Sequence, residues 1–365
     1  MRLLKRYQNV AIKASFCYYF ATMATTHIPR PRSEQRKAVQ AEGIPRTTVS
    51  FYRYVQIADP EAFASQLRTK WGELGCLGRI YVAREGINAQ MNVPTHAWQA
   101  FVDYNASVSE LSEIPYKIAV EEGEVPSFYK LTIKVRPKIV ADGLDDASFD
   151  VTNTGAYLNA AEMNEYINDP EAVVVDMRNA YESEVGHFDT AITPGVETFR
   201  EELKKVPELL RVHKNKKIAL YCTGGIRCEK ASAWLKHNGF EHVRHLKGGI
   251  IDYAHQIQEQ GLPNKFKGKN FVFDERLGER ISDEVIASCH LCNKNPSDTH
   301  YHCAFTPCHA LFIGCDSCVE RRGGYCSRLC TVLSHLPPRL QKRYAQLQTK
   351  YRSRNFKKTP LRPSM

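Results

Sequence analysis

IALYCTGGIRCEKASAWLK, residues 218–236, decides the fold. Ile218 to Cys222 is a continuous apolar run of the kind that fills a strand covered on both faces. From Arg227 the composition turns helical, so the segment predicts a strand, a tight loop and a helix, with the Cys222 thiol at a helix N-terminus. Unpaired N–H groups and the positive end of the helix dipole favour an anion there. Such a position lowers a cysteine pKa from about 8.5 towards roughly 3.5–7.5. Gly224 and Gly225 let successive amides turn inward without a Cβ clash, and Arg227 closes the loop with a fixed positive charge. Thr223, Gly224, Gly225, Ile226 and Arg227 are thus the expected cradle for a Cys222 thiolate, or for its persulfide. Four residues separate Cys222 from Arg227, whereas cysteine phosphatases place five around a phosphate; the smaller ring suits a sulfane sulfur. The competing reading is a structural strand-end cysteine. The cradle requires a thiol that is not sealed off and does not titrate like free cysteine. Cys228, six residues on, is either a resolving thiol or a small buried residue.

Outward from this loop, residues 150–262 alternate strand and helix. EAVVVDM (171–177), KIALYC (217–222) and HVRHL (242–246) are the candidate strands. YLNAAEMNEYIN, FREELKKVPELLRVH, CEKASAWLKHNG and IIDYAHQIQEQ are the helices between and after them. This predicts an α/β domain, a parallel sheet flanked by helices. Asp176 and Arg178 stand at a strand end, where they either position a substrate or support the loop as an ion pair. His187 is read as a turn-packing residue rather than an acid or base.

Residues 48–145 read differently. TVSFYRYVQI (48–57) alternates like a strand, and 58–75 is a helix with Asp59 as cap and Pro60 in its first turn. LGRIYVAREGINAQMNV (77–93) is two strands around a Gly86 turn, and 95–107 a helix opened by Thr95. FYKLTIKVRPKIV (128–140) is the last strand. The order β-α-β-β-α-β is that of a ferredoxin-like α+β domain. Basic and aromatic residues interleave at Tyr52, Arg53, Tyr54, Phe128, Tyr129, Lys130, Lys134 and Arg136. A sheet face of this kind stacks bases and meets phosphates, although a half-buried strand shows the same mix.

The 365-residue chain holds 12 cysteines, eight of them in four close pairs: Cys289 and Cys292, Cys303 and Cys308, Cys315 and Cys318, Cys326 and Cys330. Eight thiolates supply two tetrahedral Zn(Cys)4 sites, paired either one with three and two with four or as neighbours in sequence. His290, His300, His302 and His309 are substitutes for a thiolate. Disulfides, a redox relay to Cys222 and an iron–sulfur cluster are the alternatives. The polar stretch GLPNKFKGKN (261–270) reads as a linker, making 263–335 a linker plus Cys-rich module.

Net charge is +10, but the ends carry +18 together, leaving residues 34–320 at −8. Residues 1–47 are read as a basic, disordered leader with an apolar patch from Ala14 to Ala24. A transit or signal peptide and an over-extended start with Met23 as the true first residue are the other readings. Residues 336–365 form a basic tail suited to a phosphate backbone. No apolar run has the roughly 18 residues of a membrane span, and no nucleotide-cofactor motif is evident.

At these residues the chain resembles the rhodanese superfamily. VVDMRNAYESEVGHFDTAITP (174–194) is similar to its opening and LKGGI (246–250) to its closing motif. Within it the resemblance is to the tRNA uridine-34 hydroxylase family. EGIN (85–88) falls in an acylphosphatase-like domain, CTGGIRCEKAS (222–232) in the rhodanese domain, and HALFIGCDSC (309–318) in the Cys-rich segment. Ala89 and Gln90 follow EGIN where members tend to carry Gly-Thr, and Pro137-Lys138-Ile139-Val140 stands where Lys-Glu-Ile-Val is usual. The resemblance implies a cytoplasmic enzyme that hydroxylates C5 of the tRNA wobble uridine. It further implies molecular oxygen as co-substrate, Cys222 as the catalytic residue, and a sulfur donor or reductant as a further partner. The residues alone point to sulfur transfer through a Cys222 persulfide, which stands as the rival.

Overall fold

The structure, a computed structural model, describes residues 32–341 together with 343 and 344, apart from 124 and 147. The apolar patch at 14–24 and most of the basic tail lie outside the described residues. Within the stretch read as a disordered leader, Arg32–Glu42 is a helix, α1, and the first strand already begins at Arg46. Among the described residues no helix is long and apolar enough to cross a membrane.

In the first domain β1 (Arg46–Tyr54) leads to α2 (Pro60–Glu73). The Asp59 carboxylate accepts from the amides of Glu61 and Ala62, and Pro60 occupies the first turn, as the sequence predicts. The hairpin β2 (Leu77–Ala83) and β3 (Gly86–Pro94) follows, then a 3₁₀ turn at Thr95–Ala97 and α3 (Trp98–Ala106). Thr95 does not cap the helix; the 3₁₀ turn intervenes. The strand that closes the sheet beside β1 is the two-residue β4 (Lys117–Ile118), antiparallel to it. The predicted last strand is β5 (Leu131–Val135), which lies on the opposite edge, parallel to β2. The order is therefore β4-β1-β3-β2-β5, a split α+β sheet with one added strand. Phe51, Trp71 and Phe101 pack as edge-on and tilted rings in its core, where Trp71 donates to Asn105.

The second domain is a four-stranded parallel sheet, β6 (Ala156–Leu158), β10 (Val243–Leu246), β9 (Lys217–Tyr221) and β7 (Ala172–Asp176) in spatial order. Residues 157 and 158, read as helix, belong to β6; the helix α4 starts at Ala160 behind an Asn159–Glu162 capping box. Short α5 (Ala180–Ser183) and β8 (Gly186–Phe188) follow β7, and α6 (Phe199–Leu209) precedes β9. Helix α7 (Ile226–His237) follows the sulfur loop and α8 (Gly249–Gln260) follows β10. The continuous apolar runs are explained by burial on both faces. Val173, Val175, Ile218 and Leu220 pack in one core with residues of α6 and α7, while Val174, Ala219 and Tyr221 pack in another with residues of α4 and α8.

The stretch read as a linker is corrected by the structure. Phe266–Asn270 forms β11, antiparallel to β8 on one side and to β12 (Glu279–Arg280) on the other. Phe266 is buried against Phe188, which gives this otherwise polar segment its anchor. The Cys-rich segment holds the hairpin β13 (His300–His302) and β14 (Leu311–Ile313), then α9 (Asp316–Arg321) and α10 (Arg328–Ser334).

Candidate active site

The sulfur loop joins β9 to α7, where the sequence places it. Gly225 adopts φ +95°, a conformation that side chains rarely tolerate, and its amide points back at the Cys222 sulfur at 3.1 Å. The amides of Arg227 and Cys228 also bond to that sulfur. From behind, Ile250 N–H donates to Cys222 O at 3.0 Å and Ile251 N–H to Thr223 O at 3.2 Å. Gly249 makes this approach possible: a Cβ there would stand 2.4 Å from Cys222 O. LKGGI is thus the backing of the loop.

Burial raises the pKa of Cys222. The Cys228 thiol hydrogen bond, the Arg227 charge and the converging amides outweigh it and bring Cys222 down to about 5. The Cys228 thiol is pushed up by burial and by its thiolate neighbour, so at neutral pH it is the donor of the pair. Cys222 is 0 % exposed in this conformation. The residue lines a cavity of about 880 Å³ that extends between the loop and the N-terminal sheet. That volume lies within the roughly 300–1,000 Å³ of small-molecule sites.

The Arg227 guanidinium is committed elsewhere than expected. It forks onto Glu182 at 2.6 and 2.9 Å and touches Thr223 Oγ1 at 3.3 Å, so its charge reaches the sulfur only through space. Glu182 was invisible as a partner; its only sequence signal is as the last member of the N-A-Y-E capping box, whose Asn179 amide it accepts. Asp176 and Arg178 form a wholly buried pair at 2.7 Å. Asp176 also accepts from Tyr221 Oη, and Arg178 donates to Gly186 O, which fixes β7, β8 and β9 to one another. His187 packs on the Ser183 carbonyl at 2.8 Å.

The N-terminal domain supplies the other wall. Tyr52 and Tyr54, read as part of a base-stacking face, point at the sulfur loop. Tyr52 Oη donates to Glu229 at 2.9 Å and Tyr54 Oη contacts Ile226 O at 3.3 Å. Lys117, which the sequence reading passed over, lines the same cavity. Glu85 of EGIN grips Lys230 of α7 with both carboxylate oxygens at 2.9 Å.

Two groups of four sulfurs lie apart from this cavity lining: Cys289, Cys292, Cys315 and Cys318, and Cys303, Cys308, Cys326 and Cys330. Pairs one and three, and two and four, therefore associate. Within each group all sulfurs lie within 4.8 Å of one another, and the Cys308–Cys326 and Cys326–Cys330 separations are 3.7 Å. Sulfurs about 2.3 Å from a tetrahedral ion stand roughly 3.8 Å apart, so both groups fit a metal ion. The candidate histidines stay out of the groups: His290 pairs with Glu184, and His302 stacks on His309.

Residues 46–139 match the family described as UPF0176 acylphosphatase like domain, 159–256 the Rhodanese-like domain and 267–331 the Rhodanase C-terminal family. Fold and site thus define a rhodanese-type protein with an acylphosphatase-like domain before it and a Cys-rich segment after it. A "tRNA uridine(34) hydroxylase" of Leptospira interrogans is 50% identical over 330 residues, covering 90% of this chain and 89% of its own. Proteins of the same name from Escherichia fergusonii and Escherichia coli O9:H4 are 52% and 53% identical, covering 83% and 80% of this chain and 86% and 83% of theirs. The chain belongs to the tRNA uridine(34) hydroxylase family. Among solved structures, a rhodanese-related protein of Thermoplasma volcanium is 27% identical with a TM-score of 0.24, covering 30% of this chain and 95% of that one.

Proposed function

We propose that this chain hydroxylates C5 of the wobble uridine of tRNA, with Cys222 as the reacting group and molecular oxygen as co-substrate. The observation that carries the reading is that one cavity, large enough for a nucleoside, has a cysteine of pKa about 5 on one wall and aromatic and polar side chains of a second domain on the other. The relatives' shared name supplies the identity of the reaction. Thr223 to Arg227 hold the sulfur as an anion, and Cys228 donates to it as a neutral buried thiol. Asp176 and Arg178 keep the strand ends in register. The two cysteine groups hold structural zinc, and the basic tail and the exposed Lys130 and Lys134 of the first domain meet tRNA phosphates in the cytoplasm.

Nucleoside mass spectrometry of tRNA from a strain lacking the protein tests this. The 5-hydroxyuridine-derived nucleosides at position 34 should vanish and return with the wild-type chain but not with Cys222→Ala. Their persistence in the absence of a redundant pathway refutes the reading. Sulfur transfer is the second reading, favoured by the amides that converge on the sulfur itself. Cys222-dependent thiosulfate-to-cyanide transfer by the purified protein would support it.

A further inference from the structure

Lys117 is a lysine out of place. It sits on the two-residue edge strand β4, opposite Ser50 of β1, and is only 3 % exposed. Among the described residues its ammonium has no hydrogen-bond or ion-pair partner. Nζ lies 4.6 Å from the centre of the Tyr52 ring, a cation–π contact. The Tyr52 hydroxyl is tied to Glu229, which holds that ring in place. The lysine stem passes over the sulfur loop, its Cδ 3.9 Å from where a Cβ on Gly224 would stand. Lys117 and Cys222 line the same cavity. Burial depresses the lysine's pKa, while Asp252, Cys222 and Glu229 oppose that, so acidic groups surround it without contacting it. A largely buried lysine whose ammonium faces the cavity with no protein acceptor points to an acceptor brought by the substrate.

We infer that Lys117 is the specificity-determining residue for the base, its ammonium donating to O4 of the uracil whose C5 faces Cys222. This rests on the wobble-uridine reading. C5 and the carbon bearing O4 are bonded neighbours, so a base that offers C5 to the sulfur offers O4 to the group beside the sulfur. Lysine has three donors and no acceptor, and O4 is an acceptor. Cytosine carries an amino donor at that position, which would face donor with donor in a desolvated site. A purely electrostatic role for the lysine would not distinguish the two bases.

The test compares anticodon stem-loop RNAs that differ only in U34 or C34, with wild-type, K117M and K117Q proteins. Affinity is read by competition, without turnover, and kcat and KM are read on U34. Wild-type protein should prefer U34. In K117M the preference should collapse by about ten- to a hundredfold, the scale of a charged hydrogen bond, and kcat/KM on U34 should fall with it. K117Q offers both a donor and an acceptor and should regain C34 binding relative to U34. Equal weakening of both RNAs would make Lys117 a phosphate contact and overturn the inference. So would an unchanged U34 preference with slower iodoacetamide alkylation of Cys222, which would make Lys117 a support for the thiolate alone. A wild-type protein that binds U34 selectively but never hydroxylates it would refute the reaction and leave the base-reading role standing.

Discussion

Glu85 and Lys230, 145 residues apart in sequence, are joined by two hydrogen bonds of 2.9 Å. The same ammonium reaches Asp142 at 2.6 Å, and Glu85 also accepts from the Ile139 amide at 2.7 Å. One buried lysine in the helix behind the sulfur loop therefore pins both the hairpin turn of the first domain and the segment that connects the two domains. The clamp ties the domain that carries Tyr52 and Lys117 to the helix that follows Cys222.

Lys230→Ala should cost about 3–5 kcal/mol, because it strands the buried Asp142 carboxylate with only the part-exposed Lys138 and the Leu144 amide left to meet it. Glu85→Gln should cost less, since Glu85 is partly exposed and its carboxylate is screened. Urea unfolding followed by tryptophan fluorescence measures both. Asp142 is opposed by burial but held below the usual carboxylate range by Lys138 and Lys230. A lowered folded-state pKa stabilises above the unfolded value of about 3.9 and loses that contribution as pH falls through the folded value. The stability gap between wild type and Asp142→Asn should thus be full at pH 7 and shrink below about pH 4. A gap that grows on acidification contradicts the clamp.

Cys222 should be alkylated by iodoacetamide with a half-maximal rate near pH 5, where free cysteine would need about pH 8.5. Thiolate is the reacting form, so the rate rises with pH through that value and is flat above it. Cys228→Ala removes the largest of the lowering contacts and should move the midpoint upward without abolishing the reaction. Arg227→Met should move it up as well, and should also destabilise the fold by several kcal/mol because Glu182 is left charged and buried. A wild-type midpoint close to that of free cysteine would remove the thiolate from the chemistry.

Gly249→Ala should damage the loop from behind. The new Cβ would stand 2.4 Å from Cys222 O and 2.7 Å from Thr223 O, at a backbone φ of +69°. Contacts of that kind lie against main chain and have no flexible end to yield. A loss of about 2–4 kcal/mol, with slower Cys222 alkylation, is expected. Gly261→Ala, also at positive φ but with nothing within 4 Å, supplies the control and should cost about 1 kcal/mol. Equal effects at the two positions would show that backbone strain alone, not support of the loop, explains the first.

What was legible in the chain follows from range. The sulfur loop is local: Cys222, two glycines and the start of α7 lie within a few residues, so strand, turn and helix signals coincide. The Asp59 cap was legible for the same reason. The partners of the loop were not, because they come from other elements. Glu182 reaches Arg227 across 45 residues, Tyr52 reaches Glu229 across 177, and Lys117 sits on a strand too short for any periodic signal. β11 was missed because its sequence, FKGKN, has a single anchor, Phe266, and gains its order only by pairing with β8. Tyr52 and Tyr54 stand out by composition, but the sulfur loop they face was not legible, since alternation tells which residues share a face and not what covers it.

The two sulfur groups carry the last prediction. Protein purified under reducing conditions should hold two metal ions per chain, zinc by the preference of four thiolates for a tetrahedral closed site. Cys326→Ser should lose one and keep the other, because Cys326 belongs to the second group alone. The core of that group is small: Cys303, Phe305, Phe312, Cys326 and Cys330 are its buried members, so three of its five side chains belong to the proposed metal site. Metal binding there would supply a large part of the folding free energy of the segment. A strong chelator should therefore melt residues 303–330 locally, detected as new protease cuts and as alkylation of Cys303, Cys308, Cys326 and Cys330. The Asp176–Arg178 pair and the Cys222 loop, held by the parallel sheet, should survive it, so Cys222 alkylation should keep its midpoint. Protein with neither zinc nor iron, or with these cysteines paired as disulfides after anaerobic purification, would refute the metal assignment. Chelation that raised the Cys222 midpoint would show instead that the cysteine-rich segment supports the sulfur loop directly.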